Sequence, residues 1–364
     1  MHRAIAQSFD RPVRGSTAEL LRACLSHHSW LLLYTLAYVA IAVAVLSLGG
    51  YPHDLLMGAY LVSALMPPLA AVLFVAIGHI LQHALHVRPF RLSALFAAIR
   101  DDERFTRKRV IFAALPTLLF PVFSSTFTSF KNAIPAMIPF SYDRDFMLLD
   151  RVLHFGHDPW TLLQPLLGDP LVTSMTSYLY NLWLPLMYLI FYWQVFSLKS
   201  PLLRMQYLLS FVLLWSLGGN LLALLLSSAG PWLYPEITGL ENPYEALRQQ
   251  LLVADLQFKN WSLEAQAYLW ELYQTETIAT GGGISAMPSL HVAIAVLQAL
   301  LGWRLSRKLG LILTGYAVIV LLGSVHLAWH YAVDGYLSIL LALVAWKLSG
   351  WAIKLRPARA WAIT

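Results

Sequence analysis

The chain has 364 residues, of which 58% are hydrophobic and 12% are charged. A soluble domain is about half apolar and about a quarter charged, so this composition excludes an ordinary soluble protein and indicates an all-α integral membrane protein. The single cysteine, Cys24, excludes an intramolecular disulfide framework and a cysteine zinc cluster. The net charge of +6 does not indicate nucleic-acid binding, because lysine and arginine lie in short blocks between apolar runs, as in cytoplasmic loops.

Eight apolar runs are long enough, at about twenty residues, to cross a bilayer. They lie near residues 30–48, 59–83, 110–129, 172–196, 204–228, 287–303, 309–326 and 333–353. Residues 1–29 are basic and lack the apolar core of a signal peptide, so we expect a cytoplasmic tail that leads into an uncleaved first helix.

Positive charge falls on alternate loops, which predicts the orientation of the chain. The basic blocks follow spans two, four, six and eight, at residues 88–109, 199–204, 304–308 and 354–359. Both termini are therefore predicted to be cytoplasmic, and the other loops to face the periplasm of a bacterial-type inner membrane or an equivalent lumen. Residues 91–104 alternate apolar and charged side chains, which fits either an amphipathic surface helix or a plain connector.

Two of the outer loops are long. Residues 131–170 are rich in charged residues, histidine and proline, which suggests the rim of a pocket. His154, His157 and Asp158 could imitate a metal site there, but their spacing matches no strong template. In the loop 228–286, apolar residues at helical intervals predict one or two helices over the bundle mouth, as either a lid or a passive cap.

The segment Thr280–Ala293 contains three consecutive glycines, at 281–283, followed by Pro288, Ser289 and His291. Glycine permits conformations closed to other residues, and proline suits the first turn of a helix, so we expect Ser289 and His291 in that turn. The free N–H groups of a helix start attract an anionic oxygen, with which His291 could exchange a proton. A glycine loop capping a membrane helix beside an incidental histidine is the alternative.

A second polar cluster lies between spans seven and eight. His326, His330 and Asp334 are spaced four apart, so they share one face if this turn is helical. A carboxylate one turn after a histidine can hold one ring nitrogen protonated and leave the other free as a nucleophile or base. With the first cluster this predicts phosphoryl transfer: His330, oriented by Asp334, attacks phosphorus, and His291 protonates the departing oxygen and then activates the acceptor.

These residues carry a resemblance to a known family. Ala-Met-Pro-Ser-Leu-His (286–291) and His-Tyr-Ala-Val-Asp (330–334) resemble the second and third signature motifs of the type 2 phosphatidic acid phosphatase superfamily. The second of these segments and Pro-Phe-Ser-Tyr-Asp (139–143) are most similar to its inositol phosphorylceramide synthase branch. The resemblance implies a six-helix core formed by spans three to eight, with His291, His330 and Asp334 as catalytic residues and no cofactor.

The departures from the family pattern concern the phosphate. Lys131 and Pro139 fit the first motif, but Ile138 occupies its arginine position, and Ser324 stands where the third motif has arginine. The predicted phosphate ligands are Lys131, Ser289, Gly283, Arg144 and His326. With few positive partners available, a phosphodiester suits the site better than a dianionic monoester, which favours transfer of a phospho-headgroup between lipids.

The expected organisation is a tail (1–29), two accessory spans with a basic loop (30–109), a catalytic membrane domain (110–353) and a tail (354–364). The expected partners are the bilayer and a phospholipid or sphingolipid-type lipid phosphate, and no nucleic acid. The sequence does not predict an oligomeric state. Three alternatives remain: a lipid phosphate phosphatase, an intramembrane zinc enzyme that uses His326, His330 and Asp334, and a non-catalytic transporter or scaffold.

Overall fold

The computed structural model describes residues 16–51, 56–86 and 106–355, and every regular element in these ranges is a helix. The all-α prediction is therefore confirmed for the described part of the chain. The predicted surface helix at residues 91–104 lies outside the described residues, as do the first fifteen residues and the segment 356–364.

The first three helices are α1 (Thr17–Leu48), α2 (Met57–His86) and α3 (Arg107–Met137). The first helix begins well before the predicted span near residue 30, because Ser16 and Glu19 form a capping box at its start. Both α1 and α2 pack along α3, so the two accessory helices lie against the rest of the bundle.

The middle of the chain contains shorter helices. They are α4 (Asp143–Leu153), α5 (Pro159–Leu167), α6 (Pro170–Asn181), α7 (Trp183–Phe196) and α8 (Pro201–Leu225). A proline opens α5, α6 and α8, where its missing N–H costs nothing. The α8 helix contains a π-helical segment, Leu214–Leu222, in which Gly219 packs so tightly that an added Cβ would lie 2.6 Å from Leu290 Cδ1.

The last part of the chain holds three shorter helices in the loop 228–286 and three longer helices after it. The helices are α9 (Tyr234–Thr238), α10 (Glu245–Gln257), α11 (Trp261–Gln274), α12 (Leu290–Leu305), α13 (Arg307–His326) and α14 (Ala332–Lys354). The helices α10 and α11 are those expected in the loop 228–286. The most extensive packing between two helices joins α12 to α13, which places the two predicted motifs on neighbouring helices.

Six of the described helices are long and apolar enough to cross a membrane. They are α1, the Met57–Phe74 part of α2, α3, α8, α13 and α14. The other two predicted spans differ from expectation: α12 is shorter, and the span near 172–196 is divided into α6 and α7 at Leu182. The membrane character of the protein is thus supported, and the count of eight spans stays a prediction.

A buried arginine holds the accessory helices to the core. Arg204, which its sequence position predicts to lie in a cytoplasmic loop, is only 1% exposed. Its guanidinium donates to the carbonyl oxygens of Gln194, Val195 and Phe112, and its Nη1 lies 2.8 Å from His28 Nε2. Since a buried charge is tolerated only with a full set of partners, this cluster fixes α1, α3 and α7 around the start of α8.

The apolar core has two main parts. The larger one joins α3, α7, α8 and α12, with rings such as Phe120, Phe191 and Phe211 in mutual contact. The second surrounds the turn between α13 and α14, and includes Tyr180 and Tyr331. A site built beside this second core is held by packed aromatic side chains, which restrict its motion.

Candidate active site

A single large cavity of about 1020 Å³ contains both predicted histidines. Its wall is formed by α2, α3, α7, α8 and α11 together with the glycine segment and the turn between α13 and α14. Among the described residues that line it, the basic side chains are Lys131, His291 and His330, and no carboxylate is present. Most other lining residues are aliphatic or aromatic, so the cavity joins a small cationic region to a larger apolar volume.

The glycine segment packs directly on Lys131. Gly283 has a φ of +87°, and a Cβ at this position would lie 2.9 Å from Lys131 Cγ and 3.1 Å from its carbonyl carbon. Gly281 has a φ of +74°, and its N–H donates to the Tyr60 hydroxyl at 3.4 Å. Glycine is thus needed at 283 both for its backbone conformation and for the close approach to α3.

The start of α12 differs in register from the sequence expectation. Pro288 precedes the helix, Ser289 is its N-cap, and Leu290 is the first helical residue. The Ser289 hydroxyl accepts the N–H of Val292 at 3.4 Å, and the side chain is fully buried outside the cavity lining. Ser289 therefore caps the helix, while His291 in the first turn lines the cavity.

The turn that carries His330 is not helical. His326, His330 and Asp334 therefore do not share one helix face, which the sequence predicted only for a helical turn. The α13 helix ends at His326, and α14 begins at Ala332. The N–H groups of Trp329 and His330 both donate to the Ser324 carbonyl, at 3.0 and 3.1 Å. These bonds fix the backbone of the turn against the end of α13.

His330 and Asp334 form the expected pair. His330 Nδ1 lies 3.2 Å from Asp334 Oδ2, which also accepts the N–H of Tyr331 at 3.1 Å. Burial lowers the pKa of His330 to about 3, the nearby Ala286 backbone raises it in part, and the charge of Lys131 lowers it further. A neutral ring with its proton on Nδ1 would donate that proton to Asp334, and Nε2 has no hydrogen-bond partner among the described residues.

Aromatic rings enclose His291. The Tyr180 ring stacks on it with centroids 4.9 Å apart, and the Trp183 ring meets it edge-on at 4.3 Å. The His330 ring lies on a further side, with centroids 5.6 Å apart. The sequence does not predict these aromatic neighbours, because an aromatic residue within an apolar span has the same pattern as an ordinary core residue.

The structure brings together only part of the predicted residue set. Lys131, Gly283, His291 and His330 line the cavity, and Asp334 is buried behind His330. The other predicted phosphate ligands do not line it. Arg144 is exposed, and Ser289 caps α12.

His326 lies apart from the cavity within the described structure. Its Nε2 lies 3.0 Å from the Thr173 hydroxyl of α6, which itself donates to the Leu167 carbonyl. The imidazole thus supports the packing of α6 against α13. His326, His330 and Asp334 do not converge on one point, and no group of three or more histidine, cysteine and acidic side chains in the described residues could hold a metal ion.

Comparison with known proteins gives one match. The family model of the PAP2 superfamily matches residues 144–348, more than half of the chain. This segment contains both histidines of the cavity and Asp334, and it excludes α1, α2 and α3. No curated protein and no solved structure matches the chain.

Proposed function

Because this chain belongs to the PAP2 superfamily, whose members are phosphatases or phosphotransferases, we propose that it cleaves a lipid phosphoester through a phosphohistidine. We further propose that it transfers the phospho-headgroup to an alcohol, as inositol phosphorylceramide synthase does. The observation that carries the mechanism is the arrangement of His330 and His291 in one cavity, with Asp334 bound to the far nitrogen of His330.

The first displacement uses both histidines. Nε2 of His330 attacks phosphorus and forms a P–N bond as the bond from phosphorus to the lipid oxygen breaks. His291 donates its proton to that leaving oxygen, so the lipid departs as an alcohol. The positive charge on the phosphorylated His330 is stabilised by Asp334, which accepts its Nδ1–H. This step requires a protonated His291, a form that the negative charge of the bound phosphate favours.

The second displacement reverses these roles. An alcohol acceptor gives its proton to His291 as its oxygen attacks phosphorus, and the P–N bond breaks to restore neutral His330. The headgroup then belongs to the new lipid or alcohol. Water in place of the alcohol would make the same protein a lipid phosphate phosphatase.

Two features support a lipid with a phosphodiester headgroup. The apolar part of the cavity wall suits hydrocarbon chains, and residues of α2 such as Met66 and Phe74 are exposed on the outside while also lining it. Lys131 is the one lysine or arginine among the described lining residues, so the charge available suits a phosphate with a single negative charge.

We also propose that the site faces the periplasm or an equivalent lumen. The described basic residues at the ends of α12 and α14 and at the start of α3 and α13 lie at the helix ends opposite to His291 and His330. Positive charge marks the cytoplasmic side of a membrane protein, so the histidines would lie on the other side.

The test is a screen of purified protein in lipid vesicles against lipid phosphates and phosphodiesters, with and without alcohol acceptors, followed by mass spectrometry. A transferred headgroup that appears only with an acceptor is the expected result. Steady release of inorganic phosphate from a monoester such as phosphatidic acid would instead assign a phosphatase.

The variant His330→Ala should lose turnover by at least about a thousandfold, since it lacks the nucleophile. The matched control, His157→Ala, removes an exposed histidine and should keep wild-type turnover. Folded His330→Ala protein with wild-type turnover would refute the mechanism. Failure of the wild type to turn over any lipid, together with saturable lipid binding, would point to the non-catalytic alternative.

A further inference from the structure

We propose that Asp143 and Asp150, two carboxylates of α4, are positioning residues that set the geometry between His291 and His330. This inference rests on the proposed function. The two residues are seven positions apart, which places them on one face of α4, and they are 1% and 2% exposed. Neither lines the cavity, so neither is placed to touch substrate.

Asp150 caps the first turn of α14. The N-cap residue of this helix is Tyr331, whose own N–H is accepted by Asp334. The Asp150 carboxylate accepts the N–H of Ala332 at 2.7 Å and the N–H of Val333 at 2.9 Å. A carboxylate at a helix start meets both unpaired N–H groups and the positive end of the dipole. The helix start that carries Asp334 is therefore held by a side chain 182 residues away.

Asp143 holds the residue next to His330 and a separate turn. It accepts the Tyr331 hydroxyl at 2.9 Å, the N–H of Ala229 at 2.9 Å and the N–H of Gly230 at 2.8 Å. A charged acceptor with three donors makes stronger and more directional bonds than a neutral one. One carboxylate thus joins α4, the turn after α8 and the turn that carries His330.

The turn after α8, residues 228–232, contacts the segments that precede both histidines. On the His291 side, the Ser228 carbonyl accepts the N–H of Ala286 at 2.9 Å, and its hydroxyl accepts the N–H of Met287 at 3.3 Å. A shift of Asp143 would consequently displace the start of α12 as well as His330.

On the His330 side, the contact with the turn 228–232 is equally close. The N–H of Trp232 donates to the Ala328 carbonyl at 3.1 Å. Gly230 has a φ of +101°, and a Cβ there would lie 2.7 Å from the Trp329 carbonyl oxygen. The two histidine segments are therefore braced against one turn, and Asp143 fixes that turn.

Replacement by asparagine preserves shape but removes one acceptor. The amide nitrogen is a donor and would face an N–H or hydroxyl donor in each case, so the local backbone must shift. A shift of about 1 Å in a reacting group costs about a hundredfold in rate. Since the residues do not touch substrate, the loss should appear in kcat.

The experiment compares Asp143→Asn and Asp150→Asn with Asp145→Asn, an exposed carboxylate on the same helix. Steady-state rates are measured in vesicles with the substrate that the wild type turns over fastest. We expect kcat to fall about 10- to 100-fold in the first two variants with KM within about threefold of wild type. The Asp145→Asn variant should match wild type in both constants.

A milder variant tests the same hydrogen bond if the asparagine variants fail to fold. Tyr331→Phe removes only the hydroxyl bond to Asp143 and should lower kcat severalfold, with a thermal midpoint close to wild type. Wild-type kcat in folded Asp150→Asn and in Tyr331→Phe would overturn the inference. Raised KM with unchanged kcat would do the same, because it would assign the carboxylates to binding. A wild type that turns over no lipid would refute the proposed function instead.

Discussion

The contact between Gly283 and Lys131 gives a sharp test of the cavity. Replacement of Gly283 by alanine introduces a Cβ that would lie 2.9 Å from Lys131 Cγ and 3.2 Å from the Asn132 nitrogen. Ordinary contacts between carbon atoms begin near about 3.5 Å, so Lys131 or the glycine segment must move by roughly half an ångström. The one lysine among the described lining residues would be displaced relative to the two histidines.

The expected size of the effect follows from two contributions. The φ of +87° costs a residue with a Cβ about 1–2 kcal/mol in stability. Displacement of Lys131 acts on the rate, because a shift of about 1 Å costs about a hundredfold and half of that shift therefore about tenfold. Gly283→Ala should thus be modestly less stable and about tenfold lower in kcat/KM.

Gly281→Ala is the matched control. Gly281 also has a positive φ, +74°, but an added Cβ would meet nothing within 4 Å. The two variants should share the loss in thermal midpoint, measured by scanning fluorimetry in detergent. Only Gly283→Ala should lose kcat/KM in the lipid assay, and it should have little further effect in a protein that already carries Lys131→Gln.

Two results would refute this reasoning. Equal kcat/KM in Gly281→Ala and Gly283→Ala would mean that the contact with Lys131 does not affect the reaction. Independent, multiplying losses from Gly283→Ala and Lys131→Gln would mean that the glycine acts through another group.

Two further predictions concern buried polar residues. His326→Ala should lower the thermal midpoint by several degrees, because it leaves Thr173 without its imidazole partner, and should keep kcat/KM within about threefold; a loss above thirtyfold would restore His326 as a phosphate ligand. Burial raises the pKa of Asp150 to about 6 from an ordinary value of 3.8, so its folded carboxyl holds a proton that the unfolded chain releases between these values. Stability relative to Asp150→Asn should therefore fall, by up to about 3 kcal/mol, as pH rises from 4 to 6, and a difference in thermal midpoints that does not change with pH would contradict this.

Local chemistry in the sequence was sufficient to identify several features. Apolar runs predicted membrane helices because a bilayer requires about twenty apolar residues per span, and six described helices meet that requirement. The pair His330 and Asp334 was predicted from a spacing of four, and the two side chains are in contact. The two residues were expected to share one helix face. Instead, Asp334 lies in the first turn of α14 and His330 lies in the turn before that helix.

The exact start of a helix and the spatial neighbours of a polar residue were harder to predict. Ser289 was expected to bind phosphate; its hydroxyl accepts the N–H of Val292 as the cap of α12, and its side chain does not line the cavity. Arg204 was assigned to a loop, yet it lies among carbonyl groups of α3 and α7. In both cases the residue type suggested a role, and its neighbours in space gave it another.

The sequence by itself determined the membrane class, the superfamily and the two segments that hold the histidines, because apolar length and short motifs depend only on residues close together in the chain. The tertiary structure decided which polar groups share the cavity. Lys131 lines the cavity together with the two histidines and His326 does not, although His326 is nearer to His330 in the chain. The physical reason is that burial and hydrogen bonding act between groups in contact, such as Asp150 and the start of α14, whatever their separation in sequence.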